Sequence, residues 1–271
     1  MTVIVGIKAK DGAVLVSDGA ATYAVNNSGP QTIKQPTRKL SILSQRIGFG
    51  ASGAVGMAQQ YIDACIAWSE RNNRKSQKTL FPDHEEFRKF ISSELKPLLL
   101  RATADAQQRA LVGFNPAEIS TTSLWMFPTE AHGPALVQVS PGLAPEFAST
   151  DLPFVSLGSG QPAADPFLAF QRSSVWPSDR EPTIPEAVLY ALWAVKHTVD
   201  VQPGMVSRPF QVVTLRQTNP KDHRQFEFIE KSLEDIECHL QMVDSINDKI
   251  KTACREVLEL KTNAAVPQRL D

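Results

Sequence analysis

The chain has 271 residues, 42% of them hydrophobic and 21% charged, and its 28 Lys and Arg residues nearly balance 29 Asp and Glu residues. This composition excludes a mini-protein and an intrinsically disordered chain, because it supplies enough apolar surface for a core and little net charge to oppose folding. The formal net charge of −1, without a compact basic block, argues against nucleic acid as a partner.

The sequence also indicates in which cellular compartment the protein resides and whether it contacts a membrane. No apolar run approaches the ~18 residues that span a bilayer, and the first residues lack the basic and apolar regions of a secretory signal. Three cysteines, Cys65, Cys238 and Cys254, stand without a C-x-x-C pair, and an odd number is a poor basis for a disulfide framework. We therefore expect a cytoplasmic protein that does not contact a membrane.

The chain begins with predicted strands. Residues 3–7 and 13–17 are short, apolar and β-branched, and Asp11-Gly12 between them suits a tight turn, which predicts a β-hairpin. Residues 39–43 and 47–51 form a second predicted strand pair. The Asn-, Ser-, Gly- and Pro-containing stretch between the two pairs is predicted to be a loop.

Helices and strands then alternate along the chain. Helical spacing of apolar residues predicts two amphipathic helices, over 55–66 and 87–99, and further strands are predicted at 121–127, 135–139 and 154–157.

The last part of the chain begins with a capped helix. Thr183 and Glu186 stand at capping-box spacing before an apolar run, which predicts a buried helix. Strands at 210–215 and 226–229 and a long helix at about 231–261 with a short tail follow. The order predicts one α+β domain over residues 1–271, with antiparallel sheets between helices.

Gly48-Phe-Gly50-Ala-Ser-Gly53 matches the G-x-G-x-x-G fingerprint of dinucleotide-binding sites. A Rossmann unit requires parallel strands, whereas two antiparallel pairs are predicted before this motif. The alternative is that the small residues let a helix pack closely on a sheet. The five histidines show no metal-ligand spacing, so neither a cofactor nor a metal is expected.

Three residues of the predicted strand region suggest hydrolytic chemistry. Removal of Met1 would leave Thr2 with both a hydroxyl and a free α-amine, which places a nucleophile and a general base on one residue. The α-amine has a pKa of ~8, and a nearby Lys39 ammonium would lower it. Asp18 could supply the countercharge that a buried lysine needs, although Asp18 and Lys39 alone also fit an ordinary structural ion pair.

The segments that carry these residues resemble the N-terminal threonine hydrolases of the proteasome β-subunit and HslV family. Thr2-Val-Ile-Val-Gly6 is similar to the mature start of those subunits, and Ser17-Asp-Gly-Ala-Ala-Thr22 to their Asp-Gly-Gln-Ala-Thr element. Lys39-Leu40 and the run from Gly53 to Gln59 are similar to the segments of the catalytic lysine and the oxyanion-hole glycine. Gly158-Ser159-Gly160-Gln-Pro resembles a segment with an auxiliary serine. The resemblance extends to about Leu215.

The resemblance implies a four-layer αββα sandwich and assigns a role to each matching residue. Thr2 would be the nucleophile and the Gly53 amide the oxyanion donor, Asp18 and Lys39 would tune the α-amine, and Ser159 and Asp200 would position it. Ala51 would form the floor of a mostly neutral substrate pocket, with Val55, Gln59, Ala21 and Ser41 around it. Such a pocket would prefer large apolar side chains to basic ones.

Two features depart from the family pattern. Asp200-Val-Gln-Pro203-Gly204 keeps the family's aspartate but has proline in place of a supporting serine, and the stretch between Thr22 and Lys39 is long. The long stretch and the extended C-terminal helix favour the subgroup of the beta-proteobacterial proteasome homologue. We expect the long stretch to face the pore of a ring.

The resemblance therefore implies a threonine endopeptidase that cleaves unfolded polypeptides inside two stacked homo-oligomeric rings, with about 14 subunits rather than about 12. Such rings work beside an ATP-driven unfoldase, which this sequence does not identify. Two alternatives stay open. One is an N-terminal-nucleophile amidase acting on a small molecule, and the other is a catalytically inert ring protein, which Pro203 or retention of Met1 would favour.

Overall fold

The computed structural model describes residues 2–24, 32–72, 79–113, 119–202, 206–219 and 225–264, with only the backbone described for 20–24, 32–36 and 260–264. The strands are β1 (Ile4–Ala9), β2 (Gly12–Ser17), β3 (Ala20–Ala24), β4 (Thr32–Pro36), β5 (Leu40–Leu43), β6 (Ile47–Gly53), β7 (Thr121–Thr129), β8 (Gly133–Val139), β9 (Pro145–Phe147), β10 (Phe154–Leu157), β11 (Gln211–Gln217) and β12 (Phe226–Glu230). They form two five-stranded sheets, in the orders β10-β1-β2-β11-β12 and β5-β6-β7-β8-β9, and a β3-β4 hairpin. Every strand pairing is antiparallel.

Helices cover the outer face of each sheet. They are α1 (Val55–Arg71), α2 (His84–Phe90), a π-helical segment (Ile91–Leu95), α3 (Lys96–Ala110), α4 (Gln161–Ser174), α5 (Ile184–Val201) and α6 (Leu233–Ala264). In the part of the chain that the structure describes, none of the helices is long and apolar enough to cross a membrane.

Three separate hydrophobic clusters define the layers. Strand β1 shows the division, because its alternate side chains point to opposite faces of the sheet. Val5 and Ile7 join the cluster beneath α4, α5 and α6, whereas Ile4 belongs to the cluster between the two sheets. A third cluster lies between the second sheet and α1 to α3. Three buried interfaces separate four layers, so the fold is the αββα sandwich predicted from the resemblance.

The glycine-rich segment of β6 serves the contact between the sheets. A Cβ on Gly50 would lie 3.1 Å from Ile4 Cδ1, and one on Gly48 would lie 3.4 Å from Phe228 Cε1. Ile4 and Phe228 come from the first sheet and contribute to the cluster between the sheets. Because β6 is antiparallel to both β5 and β7, the segment is not part of a Rossmann unit. The alternative, in which small residues let a helix pack closely on a sheet, is wrong for Gly48 and Gly50, because they let the first sheet approach the second.

The structure differs from the predicted elements at three further places. Helix α4 was not predicted, and its sequence contains Pro162 and Pro166. The first proline lies in the opening turn, where no helical hydrogen bond is lost, while Ala164 and Leu168 anchor the buried face. Strand β9 was also missed. The stretch between the two predicted strand pairs, which was expected to be a loop, contains the β3-β4 hairpin, and residues 25–31 lie outside the described part of the chain.

The last two helices meet the first sheet differently. Helix α5 begins after Thr183, whose amide donates to the Glu186 carboxylate at 2.8 Å, at the start that the capping box predicts. Helix α6 packs on the body only through its first half, where Ile236, Leu240 and Val243 are buried. From residue 248 to 259 every residue is exposed. The predicted long helix is therefore covered over only about half its length.

Candidate active site

The turn after β10 holds the backbone of Thr2 in place. The Thr2 N–H donates to Ser159 Oγ at 3.0 Å, and the Gly160 N–H donates to the Thr2 carbonyl oxygen at 3.1 Å. Gly158 has a φ of +95°, and a Cβ there would lie 2.2 Å from the same carbonyl oxygen. Only glycine fits both this conformation and this approach. The Gly158-Ser159-Gly160 turn thus holds Thr2 just before the start of β1.

A buried ion pair lies behind Thr2. Asp18 follows β2 and is fully buried, and its Oδ1 accepts hydrogen bonds from Lys39 Nζ at 2.7 Å and from the Val3 N–H at 2.9 Å. The Lys39 side chain is 6% exposed. Burial lowers the pKa of Lys39 from its ordinary value, and the Asp18 carboxylate acts in the opposite direction. Asp18 therefore joins the lysine to the backbone directly after Thr2.

Gln211 fixes the segment that leads to Lys39. Its side-chain oxygen accepts hydrogen bonds from the backbone N–H groups of Lys39 at 2.9 Å and Leu40 at 3.1 Å. Its amide nitrogen donates to the Thr37 carbonyl oxygen at 2.7 Å. Sequence reasoning missed this residue, because an isolated glutamine at the start of a strand carries no local signal. The three bonds fix the backbone from which the lysine side chain extends.

Gly53 ends β6 next to the same space. Its φ is +112°, and a Cβ would lie 2.1 Å from the Ser120 carbonyl oxygen. The family resemblance assigned this glycine to the oxyanion hole. The structure shows a second reason for glycine at this position, because β7 begins directly against it and leaves no room for a Cβ. Gly53 itself is exposed.

These elements surround a cavity of about 590 Å³. Eight of the residues predicted for the site line it, namely Thr2, Lys39, Ser41, Ala51, Gly53, Val55, Gln59 and Ser159. Six further lining residues were not predicted, namely Thr37, Arg38, Phe49, Ser52, Ala58 and Ile62. Three of these six were detectable in the sequence: Phe49 shares a strand face with Ala51, and Ala58 and Ile62 follow Val55 at helical spacing.

Among the predicted residues whose side chains the structure describes, Asp18 and Asp200 do not line this cavity. Asp18 lies behind Lys39, as its buried pair requires. Asp200 is at the end of α5, where its 58% exposed side chain accepts a hydrogen bond from Lys196 Nζ at 2.9 Å. No contact in the described part of the chain supports the positioning role expected for Asp200. Ala21 lies on β3, where only the backbone is described, and Pro203 lies outside the described residues.

The arrangement brings together the parts that an acyl-transfer site needs. Thr2 carries a hydroxyl, Lys39 is a desolvated lysine beside it, and the exposed end of β6 at Gly53 is a candidate oxyanion site.

The model of the family described as proteasome subunit matches residues 2–203. The chain belongs to the proteasome subunit family. The match spans both strand pairs of the first part of the chain and the turn that holds Thr2. No curated protein matches the sequence.

Solved structures show the same fold for this proteasome-family chain. A Gly-1 mutant of Anbu from Hyphomicrobium sp. strain MC1 superposes with a TM-score of 0.64 at 17% identity, covering 94% of this chain and 97% of that one. Anbu from Yersinia bercovieri, described as an ancestral beta-subunit, has a TM-score of 0.60 at 15% identity and covers 99% and 100%. At these identities the likeness shows the fold alone, which is that of the N-terminal-nucleophile hydrolases. The closer resemblance to the beta-proteobacterial homologue stays a prediction.

Proposed function

We propose that this chain is a threonine-type endopeptidase with Thr2 as its nucleophile. The observation that carries the proposal is the single cavity lined by Thr2, Lys39, Gly53 and Ser159, with Asp18 buried behind it. The four lining residues come from four separate parts of the chain. A merely structural Asp18–Lys39 pair would not need Thr2, Gly53 and Ser159 beside it.

In the proposed reaction, removal of Met1 frees the α-amine of Thr2. The amine accepts the proton of the Thr2 hydroxyl through a water as the hydroxyl oxygen attacks the scissile carbonyl. The Gly53 N–H stabilises the developing oxyanion, and the leaving amine takes the proton. Water then hydrolyses the acyl-enzyme ester and regenerates the hydroxyl.

The neighbours of Thr2 set the basicity and position of that amine. The Lys39 ammonium lowers the pKa of the amine, and Asp18 holds the lysine while accepting from the Val3 N–H. Ser159 Oγ, 3.0 Å from Thr2 N, positions it. We assign no such role to Asp200.

The cavity lining supports a preference for apolar side chains before the cleaved bond. Phe49, Ala51, Ala58 and Ile62 contribute apolar surface, and Ser41 and Gln59 are polar but uncharged. Burying an unpaired ammonium against such a surface is unfavourable, whereas an apolar side chain gains ~1.5–3 kcal/mol. Arg38 at the same cavity, whose guanidinium also pairs with Glu230, further disfavours a basic substrate side chain.

The family membership supports a ring assembly, and we propose two stacked homo-oligomeric rings in the cytoplasm that admit unfolded polypeptides. An ATP-driven unfoldase is part of this proposal. The small-molecule amidase is the second candidate, because a cavity of about 590 Å³ is within the range of small-ligand sites. Cleavage of small amides but not of unfolded casein would favour it.

Substitution of the nucleophile tests the proposal. Thr2→Ala should abolish both peptide cleavage and labelling by a threonine-directed epoxyketone, while Thr2→Ser should keep partial activity because amine and hydroxyl remain. Thr218→Ala, at an exposed turn, is the matched control and should behave as wild type. Covalent labelling of the N-terminus in the Thr2→Ala variant would contradict the mechanism.

Intact-mass measurement separates the catalytic protein from an inert one. Loss of Met1 is expected in active preparations. A preparation that retains Met1 and still cleaves peptides would exclude the α-amine as the base.

A further inference from the structure

Helix α6 continues beyond the part of it that packs on the protein. The helix has 32 residues and is therefore about 48 Å long. Its buried residues end at Val243, and residues 246–259, which we call the distal α6 segment, extend for a further ~21 Å. An isolated helix of this length is marginally stable in water, so the segment requires a packing partner.

The distal α6 segment carries an apolar stripe that continues the face packed on α5. Ile236, Val243, Ile250 and Val257 recur every seven residues, and Ile246 and Ala253 fall three residues after two of them. This is the a/d pattern of a helix that packs against another helix. Val243 is fully buried against the body, whereas Ile250 is 43% and Val257 is 54% exposed. The a/d repeat therefore continues beyond the point where α6 stops packing on the rest of the protein.

We propose that the distal α6 segment pairs with the same segment of a second copy of this chain, antiparallel and across a two-fold axis. In that register Ile250 faces Ala253 of the second copy, and Val257 faces Ile246. A large residue then meets a small one at the centre, and the two-fold axis repeats each contact.

The charged residues beside the stripe favour a second copy of this chain as the partner, in the antiparallel orientation. Lys249 and Glu256 are both exposed and lie on the same flank of the stripe. In the antiparallel register Lys249 of one copy lies beside Glu256 of the other, and the two-fold axis makes the pair twice. In a parallel pairing Glu256 would lie beside Lys261, but Lys249 would lie beside Cys254, which offers no countercharge. Only the antiparallel register pairs both Lys249 and Glu256. Asp248 and Lys251, which pair with each other at 3.1 Å, lie on the opposite side of the helix.

Charge reversal in the full-length protein tests the pairing, with mass measured by light scattering after size exclusion. Lys249→Glu and Glu256→Lys should each place like charges together, and each should raise the dissociation constant of the assembly at least tenfold or reduce its mass by half. The double variant Lys249→Glu/Glu256→Lys should restore the wild-type mass, because the pairs are remade with exchanged signs. The control exchange Asp248→Lys/Lys251→Asp should leave the mass unchanged.

Several results would overturn the proposal. A monomeric wild-type protein at micromolar concentration would do so, as would single reversals with unchanged mass. A double variant as impaired as the single ones would exclude the antiparallel register. None of these readouts depends on peptide cleavage, so the pairing can fail while the proposed activity of Thr2 stands.

Discussion

Removal of the Lys39 ammonium should destabilise the protein through the carboxylate that it leaves behind. Lys39→Met keeps much of the side-chain volume but leaves Asp18, which is fully buried, without its cation at 2.7 Å. Breaking a buried pair in this way costs about 3–5 kcal/mol. Asp18 keeps the Val3 N–H at 2.9 Å and a weak contact from the Ser207 N–H at 3.5 Å, so we expect the lower end, about 3 kcal/mol.

Thermal and chemical unfolding measure this loss. For a protein of this size, 1 kcal/mol changes the Tm by roughly 2–4 °C, so a loss of about 3 kcal/mol lowers the Tm by roughly 6–12 °C. Lys196→Met is the matched control, because Lys196 also pairs with a carboxylate, at 2.9 Å, but Asp200 there is 58% exposed. Exposed pairs contribute about 0–1 kcal/mol, so the control should lose far less.

A double variant separates the stranded charge from lost packing. Asp18→Asn removes the charge and keeps an oxygen for the Val3 N–H, so Asp18→Asn/Lys39→Met should be less destabilised than the sum of the single variants by about 2 kcal/mol. A Lys39→Met variant no less stable than Lys196→Met, or strict additivity in the double variant, would refute the reasoning from burial. Peptidase activity should be lost in Lys39→Met, whatever the stability.

Three other predictions address the turn beside Thr2, the pocket and acid stability. Gly158→Ala should destabilise the protein by at least ~1–3 kcal/mol and impair cleavage, because its Cβ would lie 2.2 Å from the Thr2 carbonyl oxygen. Gly142→Ala, with open space around it, is the control. Equal Tm values for the two variants would contradict the predicted clash. Ala51→Met should shift the preferred substrate side chain from large to small apolar residues in a peptide library, and an unchanged profile would remove Ala51 from the pocket floor. Burial, with His132 and Arg88 nearby, lowers the pKa of His84 to about 4, so the unfolded chain binds more protons than the folded one between about pH 6.5 and 4, and stability falls on acidification. Because this ring is partly exposed, we expect acidification over this range to lower the free energy of unfolding by about 1–2 kcal/mol. His84→Gln should largely remove that pH dependence in Tm measurements. An equal acid sensitivity in the variant would assign the effect to other groups.

The sequence by itself determined the elements whose signals are local. The Asp11-Gly12 turn places β1 against β2, and the Thr183–Glu186 spacing marks the start of α5, since a turn or a cap depends on a few neighbouring residues. The apolar, β-branched run at residues 3–7 also predicted the strand itself, and the structure assigns its alternate side chains to two cores. In β1, Ile4 and Val5 point to opposite cores, as a period of two requires.

Other features of the fold depended on contacts that no local pattern encodes. Helix α4 forms despite Pro162 and Pro166 because Ala164 and Leu168 are buried against the rest of the layer. The burial of α6 ends at Val243 because the protein body ends there, although the apolar repeat continues to Val257. Tertiary packing, not propensity, decides where such elements begin and how far they are covered.

The candidate site shows the same division. The residue types at Thr2, Asp18 and Lys39 suggested a chemistry, but Lys39 reaches Asp18 only because chain segments 21 residues apart meet at 2.7 Å between the sheets. Gln211, 172 residues from Lys39, completes that arrangement without any signal in the sequence. Asp200 matched a motif, yet its carboxylate faces Lys196 on the surface. Hydrogen bonds and ion pairs between distant segments are set by how the layers pack, and only the tertiary structure specifies that.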